Sequence, residues 1–211
     1  VQTGANENKE QTLKFNKADL YKNQDNVVSI LVANMGHDED YGEENKNEDT
    51  HKTARGLIQA GLTGENVSSD KVTWKLQGTK GGENNIDNTR GPYNLGGLFG
   101  EREGFYLPGF NDTNWKQTNL LNTKAQTGVS WYRTNFNLNL PKNYDIPISL
   151  KINDPTFMKA NASKYRVNLY INGWNYGQYI NNLGPQKEFY LPTGILNPNG
   201  HNTLSLGVWN Q

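Results

Sequence analysis

Two carboxylates flank an arginine at Glu101-Arg102-Glu103. A retaining glycosidase places two carboxyl groups about 5 Å apart across the sugar it cleaves. On a strand, residues i and i+2 share a face about 7 Å apart, so this pair resembles an acid/base couple in spacing. The same spacing suits an exposed or arginine-paired structural motif, and that is the expectation here. Arg102, pointing to the opposite face, should make charge-assisted bonds to backbone carbonyls or to a carboxylate. No catalytic residue is expected.

A second constellation is aromatic and rich in amides. Trp174, Tyr176 and Tyr179 surround the turn that carries Asn172, Asn175 and Gln178. Rings of this kind stack on the apolar face of a pyranose while amides take its hydroxyls, so these six residues form the candidate ligand-binding face. Packing against a neighbouring domain would use the same residues, and both readings stay open. The acidic run Asp38, Glu39, Asp40, Glu43 and Glu44 has the oxygens a Ca²⁺ ion takes, but not the spacing of an EF-hand, and a solvated loop is expected. His37, His51 and His201 show no metal-ligand spacing. No metal and no cofactor are therefore expected, and a structural Ca²⁺ elsewhere has no support in the residues. Cysteine is absent, which removes disulfides, thiolate nucleophiles and thiolate metal sites together.

The elements that must position these residues read as strands. The chain has 211 residues, with 21 Lys+Arg against 21 Asp+Glu. Zero net charge removes the general drive toward nucleic acid or an anionic membrane, so neither partner is expected. No apolar run approaches the roughly 20 residues of a membrane helix. With 22 Gly, 32 Asn, 11 Tyr, 7 Phe and 5 Trp, the composition is that of a loop-rich β-protein with aromatic content too high for disorder. Period-two alternation marks strands at 26–34, 72–76, 131–140, 146–152, 166–171, 178–180 and 203–209. In 131–140, Trp131, Arg133 and Asn135 face one way, and Tyr132, Thr134, Phe136 and Leu138 the other. Asn172-Gly173 between two such runs predicts a type I′ hairpin. Trp74, Trp131 and Trp209 are expected to be buried. The only weak helical stretch is 52–60, and Gly56 counts against it. Segments 37–51 and 78–97 are expected as loops. The architecture is all-β, with turn signals at sandwich spacing.

An internal repeat divides the chain. Leu20, Asn26, Ser29 and Asn34 have the same mutual spacing as Leu196, Asn202, Ser205 and Asn210. Val28-Ser29-Ile30-Leu31-Val32 then aligns with Leu204-Ser205-Leu206-Gly207-Val208, as a turn followed by one alternating strand. Either any two β-strands look this alike, or the chain holds the closing strands of two related sandwiches. On the second reading residues 1–64 carry the closing strands of a first sandwich plus the acidic loop, and residues 65–211 form a second. The strand around Val27–Val32 must pair with something, and the apolar run Leu57–Leu62 of the same chain is the expected partner.

Several motifs carry a resemblance. Gly96-Gly97-Leu98-Phe99-Gly100-Glu101-Arg102-Glu103-Gly104-Phe105 is similar to the GGLYAEREGFH segment of fungal family 35 β-galactosidases. In register with it, Asn34–Glu39 resembles that family's DHMGLDE, Arg55-Gly56-Leu57 its PRGIL, and Thr73–Gly78 with Gly81-Gly82-Glu83 its ITWKLTGNLGGE. Arg90-Gly91-Pro92 with Asn94 and Gly96-Gly97 resembles VRGPLNEGG. Tyr165–Val167 with Leu169–Gly173 resembles YRVQLYVNG, Tyr176-Gly177 and Tyr179 match YGKY, and Asn182–Gln186 matches NIGPQ. The run Phe110–Trp115 is similar to the F-x-D-x-x-W entry of galactose-binding-like domains, where the Trp packs inward. The resemblance implies a jelly-roll β-sandwich of the galactose-binding-like type, beyond a catalytic barrel that bears both catalytic glutamates. Nothing here matches that barrel. The front strands of the family's first sandwich are missing before Val1, and family members usually run beyond the position of Gln211. With no initiator Met or signal-peptide pattern at Val1-Gln2-Thr3, the expectation is a processed or excised piece of something longer, extracellular, and not an enzyme by itself. Its implied role is a non-catalytic module of carbohydrate-degrading machinery. Carbohydrate binding, protein scaffolding and completion of a full β-galactosidase stay open, with carbohydrate or another protein module of the same system as partner. Sequons at Asn66, Asn111 and Asn161 are no more than chance provides in so Asn-rich a chain.

Overall fold

The computed structural model describes residues 12, 14–30, 32, 56–64, 72–78, 87, 89–91, 93, 95–119, 128–159, 161–182 and 185–210. The acidic loop and most of the 78–86 glycine-rich stretch lie outside these. Packing divides the chain into two units, 1–75 and 76–211, and the well-built elements belong to the second. They are one short helix, α1 (Leu98–Arg102), and six strands: β1 (Gly128–Asn139), β2 (Ile148–Lys151), β3 (Tyr165–Ile171), β4 (Trp174–Ile180), β5 (Glu188–Leu191) and β6 (Asn199–Asn210).

Among the described residues the strands form two antiparallel sheets, one of four strands in the order β1-β6-β3-β4 and one of two strands, β2-β5. The inner strands of the larger sheet are β6 and β3, and β6 pairs with β1 from Gly128↔Asn210 to Asn139↔Asn199 and with β3 from Tyr165↔Asn210 to Ile171↔Leu204. Alternation sets the faces. Val167, Leu169 and Ile171 of β3, with Leu204, Leu206 and Val208 of β6 and Phe136 and Leu138 of β1, meet Leu150, Phe189 and Leu191 of the small sheet. The expected alternation of 131–140 holds.

The hairpin joining β3 to β4 turns at Asn172 (φ 47°) and Gly173 (φ 83°), the two left-handed positions that a type I′ turn requires. Past the turn, Tyr170 pairs with Asn175 but Asn168 with Gln178, so β4 carries one extra residue. This bulge includes Gly177 at φ 102°, a conformation glycine adopts without strain. Its consequence is geometric. Tyr176 and Tyr179, three residues apart, both turn into the core between the sheets.

The loop between β2 and β3 is held by two side chains. Asn181 takes the Tyr165 amide on its Oδ1 (2.8 Å) and donates to the Ser163 carbonyl (2.8 Å). Asp154 accepts the Thr156 amide (2.7 Å), the Thr156 hydroxyl (2.6 Å) and the buried Tyr179 hydroxyl (2.7 Å). Burial opposes ionisation of Asp154, but the hydrogen bonds from Thr156, Tyr165 and Tyr179 outweigh it and hold the carboxyl below the usual aspartate value.

Three expectations fail in the first unit and at its boundary. Among the described residues, 26–30, 32, 57–62 and 72–76 form no strand. Trp74 is 52% exposed and Leu76 fully exposed, whereas Trp74 was expected in the core. The alternating pattern is there, but a strand also needs a neighbour to take its N–H and C=O groups, and no described segment does so. Among the described residues 27–30, 32 and 57–62 no strand pairing of the expected kind is found; Gly56 lies against Val32. Trp131 and Trp209 are half-buried.

Because the folded-state pKa of Asp154 is depressed, its contribution is present above the unfolded value of 3.8 and is lost as pH falls through the folded one. In urea melts stepped from pH 6 to pH 2, Asp154→Asn should lose less stability than the wild type does. Parallel acid dependence in the two proteins would show that Asp154 does not stabilise the loop as a carboxylate.

Candidate functional site

The second face of the four-stranded sheet is where the chemistry-bearing residues gather. It presents Trp131 and Arg133 from β1, Arg166, Asn168 and Tyr170 from β3, and Ser205 and Trp209 from β6. The described residues between 87 and 115 lie over it. Glu101 fastens this cover. Its carboxylate is buried and accepts the Leu95 amide on both oxygens (2.8 and 2.9 Å), the Gly97 amide (2.8 Å) and the Tyr170 hydroxyl (3.1 Å). Burial first, then the Glu101 charge beside it, pushes the Tyr170 hydroxyl far above the ordinary tyrosine range, so Tyr170 stays a donor.

The expectation for Glu101-Arg102-Glu103 is corrected by this geometry. These residues lie on and just after α1, not on a strand, so Glu101 and Glu103 do not share a face. Glu101 is not exposed; the amides of Leu95 and Gly97 and the Tyr170 hydroxyl donate to it. Glu103 is exposed, and no ion pair of Arg102 forms among the described residues. The turn is tight enough to place Leu98 at φ 53° and Gly96 at φ 92°. The side chains of Trp131 and Trp209 reach up to it, donating to the carbonyls of Gly97 (3.1 Å) and Gly96 (2.5 Å), and Asn168 donates to that of Leu95 (3.1 Å).

Two arginines complete the attachment. Arg133 of β1 donates to Asp112 Oδ2 (2.9 Å), to Ser205 Oγ (3.0 Å) and to the Phe105 carbonyl. Arg90 pairs with Asp87 and donates to the carbonyl of Asn172 at the hairpin tip (2.8 Å). Hydrogen bonds from the Arg90 side chain and backbone hold Asp87 below the usual aspartate value. Between these polar ties runs a ring stack: Tyr170 lies 5.1 Å from Tyr106 and 5.6 Å from Trp131, and Phe105 sits edge-on to Trp131 and Trp115. Trp115 packs inward, as the F-x-D-x-x-W pattern implied.

The candidate ligand-binding residues are scattered by the fold. Tyr179 is fully buried and bonded to Asp154, and Tyr176 packs in the core with its hydroxyl donating to the Tyr190 carbonyl. Neither offers a ring for stacking. Asn172 is a turn residue whose side chain takes the Thr203 amide (2.8 Å) and donates to the Ile195 carbonyl (2.7 Å) and to Asn202 (2.8 Å). Gln178 donates to Asn168 (2.7 Å), and Asn175 accepts the Gly177 amide (3.1 Å). Only Trp174 of the three rings remains without a described internal bond or ring contact. Among the described residues, no three His, Asp or Glu side chains converge as metal ligands would. The residues missed by the sequence reading are Arg133, Arg90 and Tyr170. The alternation of β1 did place Arg133 on the face opposite Phe136, which was the available signal.

The described residues of the second unit form an all-β domain of two antiparallel sheets, with the polar face of the larger one closed by the domain's own chain. Residues 99–211 match the family model described as the β-galactosidase second all-beta domain, and the chain belongs to that family. It is 39% identical over 211 residues to β-galactosidase A of Penicillium sp, covering 99% of this chain and 20% of that enzyme. It is 38% identical over 207 residues to β-galactosidase A of Aspergillus niger (98% and 20%) and 38% over 200 residues to probable β-galactosidase B of Talaromyces marneffei (95% and 19%). The chain thus spans about a fifth of the length of these relatives. A solved calcium-binding mutant of Bacteroides uniformis β-glucuronidase 2 superposes with TM-score 0.29 at 19% identity, over 48% of this chain and 12% of that one, a likeness too weak to bear on function.

Substitutions at two positions test the attachment. Glu101→Ala removes the acceptor of the Leu95 and Gly97 amides and of the buried Tyr170 hydroxyl and should cost on the order of 3 kcal/mol, with Glu101→Gln milder because one oxygen remains. A Cβ on Gly100 would collide with the Trp131 indole, so Gly100→Ala should cost roughly 1–3 kcal/mol. Urea denaturation followed by tryptophan fluorescence measures both, and midpoints within error of wild type would show that the cover is not held this way.

Proposed function

We propose that the chain is a non-catalytic scaffolding module of an extracellular β-galactosidase, supporting the rest of that enzyme and not acting on sugar itself. One observation carries the reading. Both faces of the four-stranded sheet are covered by the chain's own residues, and every candidate sugar-face side chain except Trp174 is engaged within the protein. The alignment of nearly the whole chain with a fifth of each fungal β-galactosidase supports the same reading.

A carbohydrate-binding role has one observation in its favour. Phe99 stands 62% exposed at the rim of a shallow recess of about 440 Å³ whose wall includes Phe105, Trp115 and Trp131. Titration of the full chain with galactose and galacto-oligosaccharides separates the two. The scaffold reading expects no heat and no change in tryptophan fluorescence at millimolar sugar, together with no turnover of a chromogenic β-galactoside. Millimolar binding that Phe99→Ala abolishes would replace it with the sugar-binding one, and turnover lost on Glu101→Gln or Glu103→Gln would overturn both.

A further inference from the structure

The sequon at Asn111 lies inside the F-x-D-x-x-W run, and the fold interlocks the two patterns. The three named positions of that run turn toward the domain. Phe110 and Trp115 pack with their ring centres 5.7 Å apart, and both lie against Phe105. Asp112 receives the Arg133 guanidinium on Oδ2 (2.9 Å), and its carbonyl accepts the Trp115 amide (2.9 Å). The intervening positions, Asn111, Thr113 and Asn114, are exposed. Asn111 and Thr113 are the first and third residues of the sequon. The grip on Phe110, Asp112 and Trp115 therefore sets an acceptor asparagine and its hydroxyl partner on the same outer side of the loop.

They meet there. Asn111 Oδ1 accepts the Thr113 amide (3.2 Å) and the Thr113 hydroxyl (2.8 Å). A carboxamide whose oxygen is tied back to its own loop has its nitrogen directed elsewhere. Nδ2 of Asn111 has no hydrogen-bond partner among the described residues, and its side chain is exposed. Both bonds span two residues, so this acceptor can form in the nascent chain before the sheet closes, and the folded domain keeps it open to solvent.

Of the other two sequons, Asn66 lies outside the described residues. Asn161 and Ser163 are exposed, but no hydrogen bond joins their side chains among the described residues, and Asn181 holds the Ser163 carbonyl (2.8 Å). Composition accounts for how many sequons the chain has; it does not account for the geometry of this one.

We propose that Asn111 is an N-glycosylation site, its co-substrate an oligosaccharide carried on a lipid through a pyrophosphate. The proposal rests on the reading of the chain as a module of an extracellular enzyme, because the secretory route is where such a donor is met. Nδ2 attacks the anomeric carbon of the first sugar. The N–C bond forms, the bond from that carbon to the phosphate oxygen breaks, and its electron pair leaves with the lipid pyrophosphate. The amide nitrogen gives up one proton. Thr113 touches the carboxamide and not the sugar, so it is a positioning residue. A glycan at this point is bulky and solubilising and displaces no described side chain. It also keeps other protein surfaces off the outer side of the loop, so scaffolding contacts are made elsewhere on the domain.

The test uses the full chain, secreted from a yeast behind a signal sequence. Gel mobility before and after peptide N-glycosidase reads glycan content. Mass spectrometry of the peptide spanning residue 111 reads the site, because the enzyme leaves aspartate where a glycan stood. Occupied Asn111 is the expected result, with occupancy falling at least tenfold in Asn111→Asp and Thr113→Ala and retained in Thr113→Ser and Asn161→Gln. Asn111→Asp keeps an oxygen for the Thr113 bonds, so in glycan-free protein from bacteria its urea midpoint should match wild type. That match separates loss of the glycan from loss of the loop. A secreted chain with bare Asn111 overturns the proposal and leaves the extracellular reading standing. A chain retained in the cell with all three sequons bare overturns both.

Discussion

A buried carboxylate organises this molecule. Glu101 is held at the end of a five-residue helix by two backbone amides and a tyrosine hydroxyl. Burying an ionised group is expensive unless its oxygens are fully hydrogen-bonded, and this site meets that condition with main-chain donors. The donors can converge only because Gly96 and Leu98 adopt left-handed backbone, and they stay there because Trp131 and Trp209 pin the carbonyls of the same turn. The cover over the second sheet face, the ring stack beneath it and the exclusion of solvent from Tyr170 all follow from that one attachment.

The same economy explains why a sugar face is not found at the hairpin. Amides and aromatic rings suit a pyranose, but they equally suit the inside of a sandwich with polar residues on both sides of its central strand. β3 is buried along nearly its whole length on both faces, so Asn168, Tyr170 and Arg166 all need partners within the protein. Asn172, Gln178 and Trp209 supply contacts that a ligand would otherwise have had to make.

How much could be read from residues alone depended on the range of the interaction. The strand at 131–140 was legible because alternation is local and both faces are contrasted. The hairpin was legible because Asn-Gly encodes its own backbone angles. The carboxylate at 101 was not, since its partners are backbone amides that carry no side-chain signature, and one helical turn is too short to show a period. Tyr176 and Tyr179 were grouped as one face because they cluster around the hairpin; the bulge at Gly177, which only the pairing with β3 reveals, turns both into the core. The segments 26–34 and 72–76 have the pattern of strands without a described neighbour to complete them. Pattern states what a segment can pair as, and only a partner makes it do so.

The position of β6 sets an order of events on the ribosome. This strand lies between β1 and β3, yet it is synthesised after both, and its pairing with β1 joins residues as far apart as Gly128 and Asn210. The large sheet therefore has to wait for its middle. Until β6 emerges, β1 lacks its described neighbour and the β3–β4 hairpin has a bare edge on β3, each displaying apolar side chains to solvent or to a chaperone. Contacts so distant in sequence also make for slow closure. A nascent chain of this design spends its synthesis as a set of unjoined pieces, and its exposure to misassembly is governed by how quickly the last dozen residues of the strand arrive.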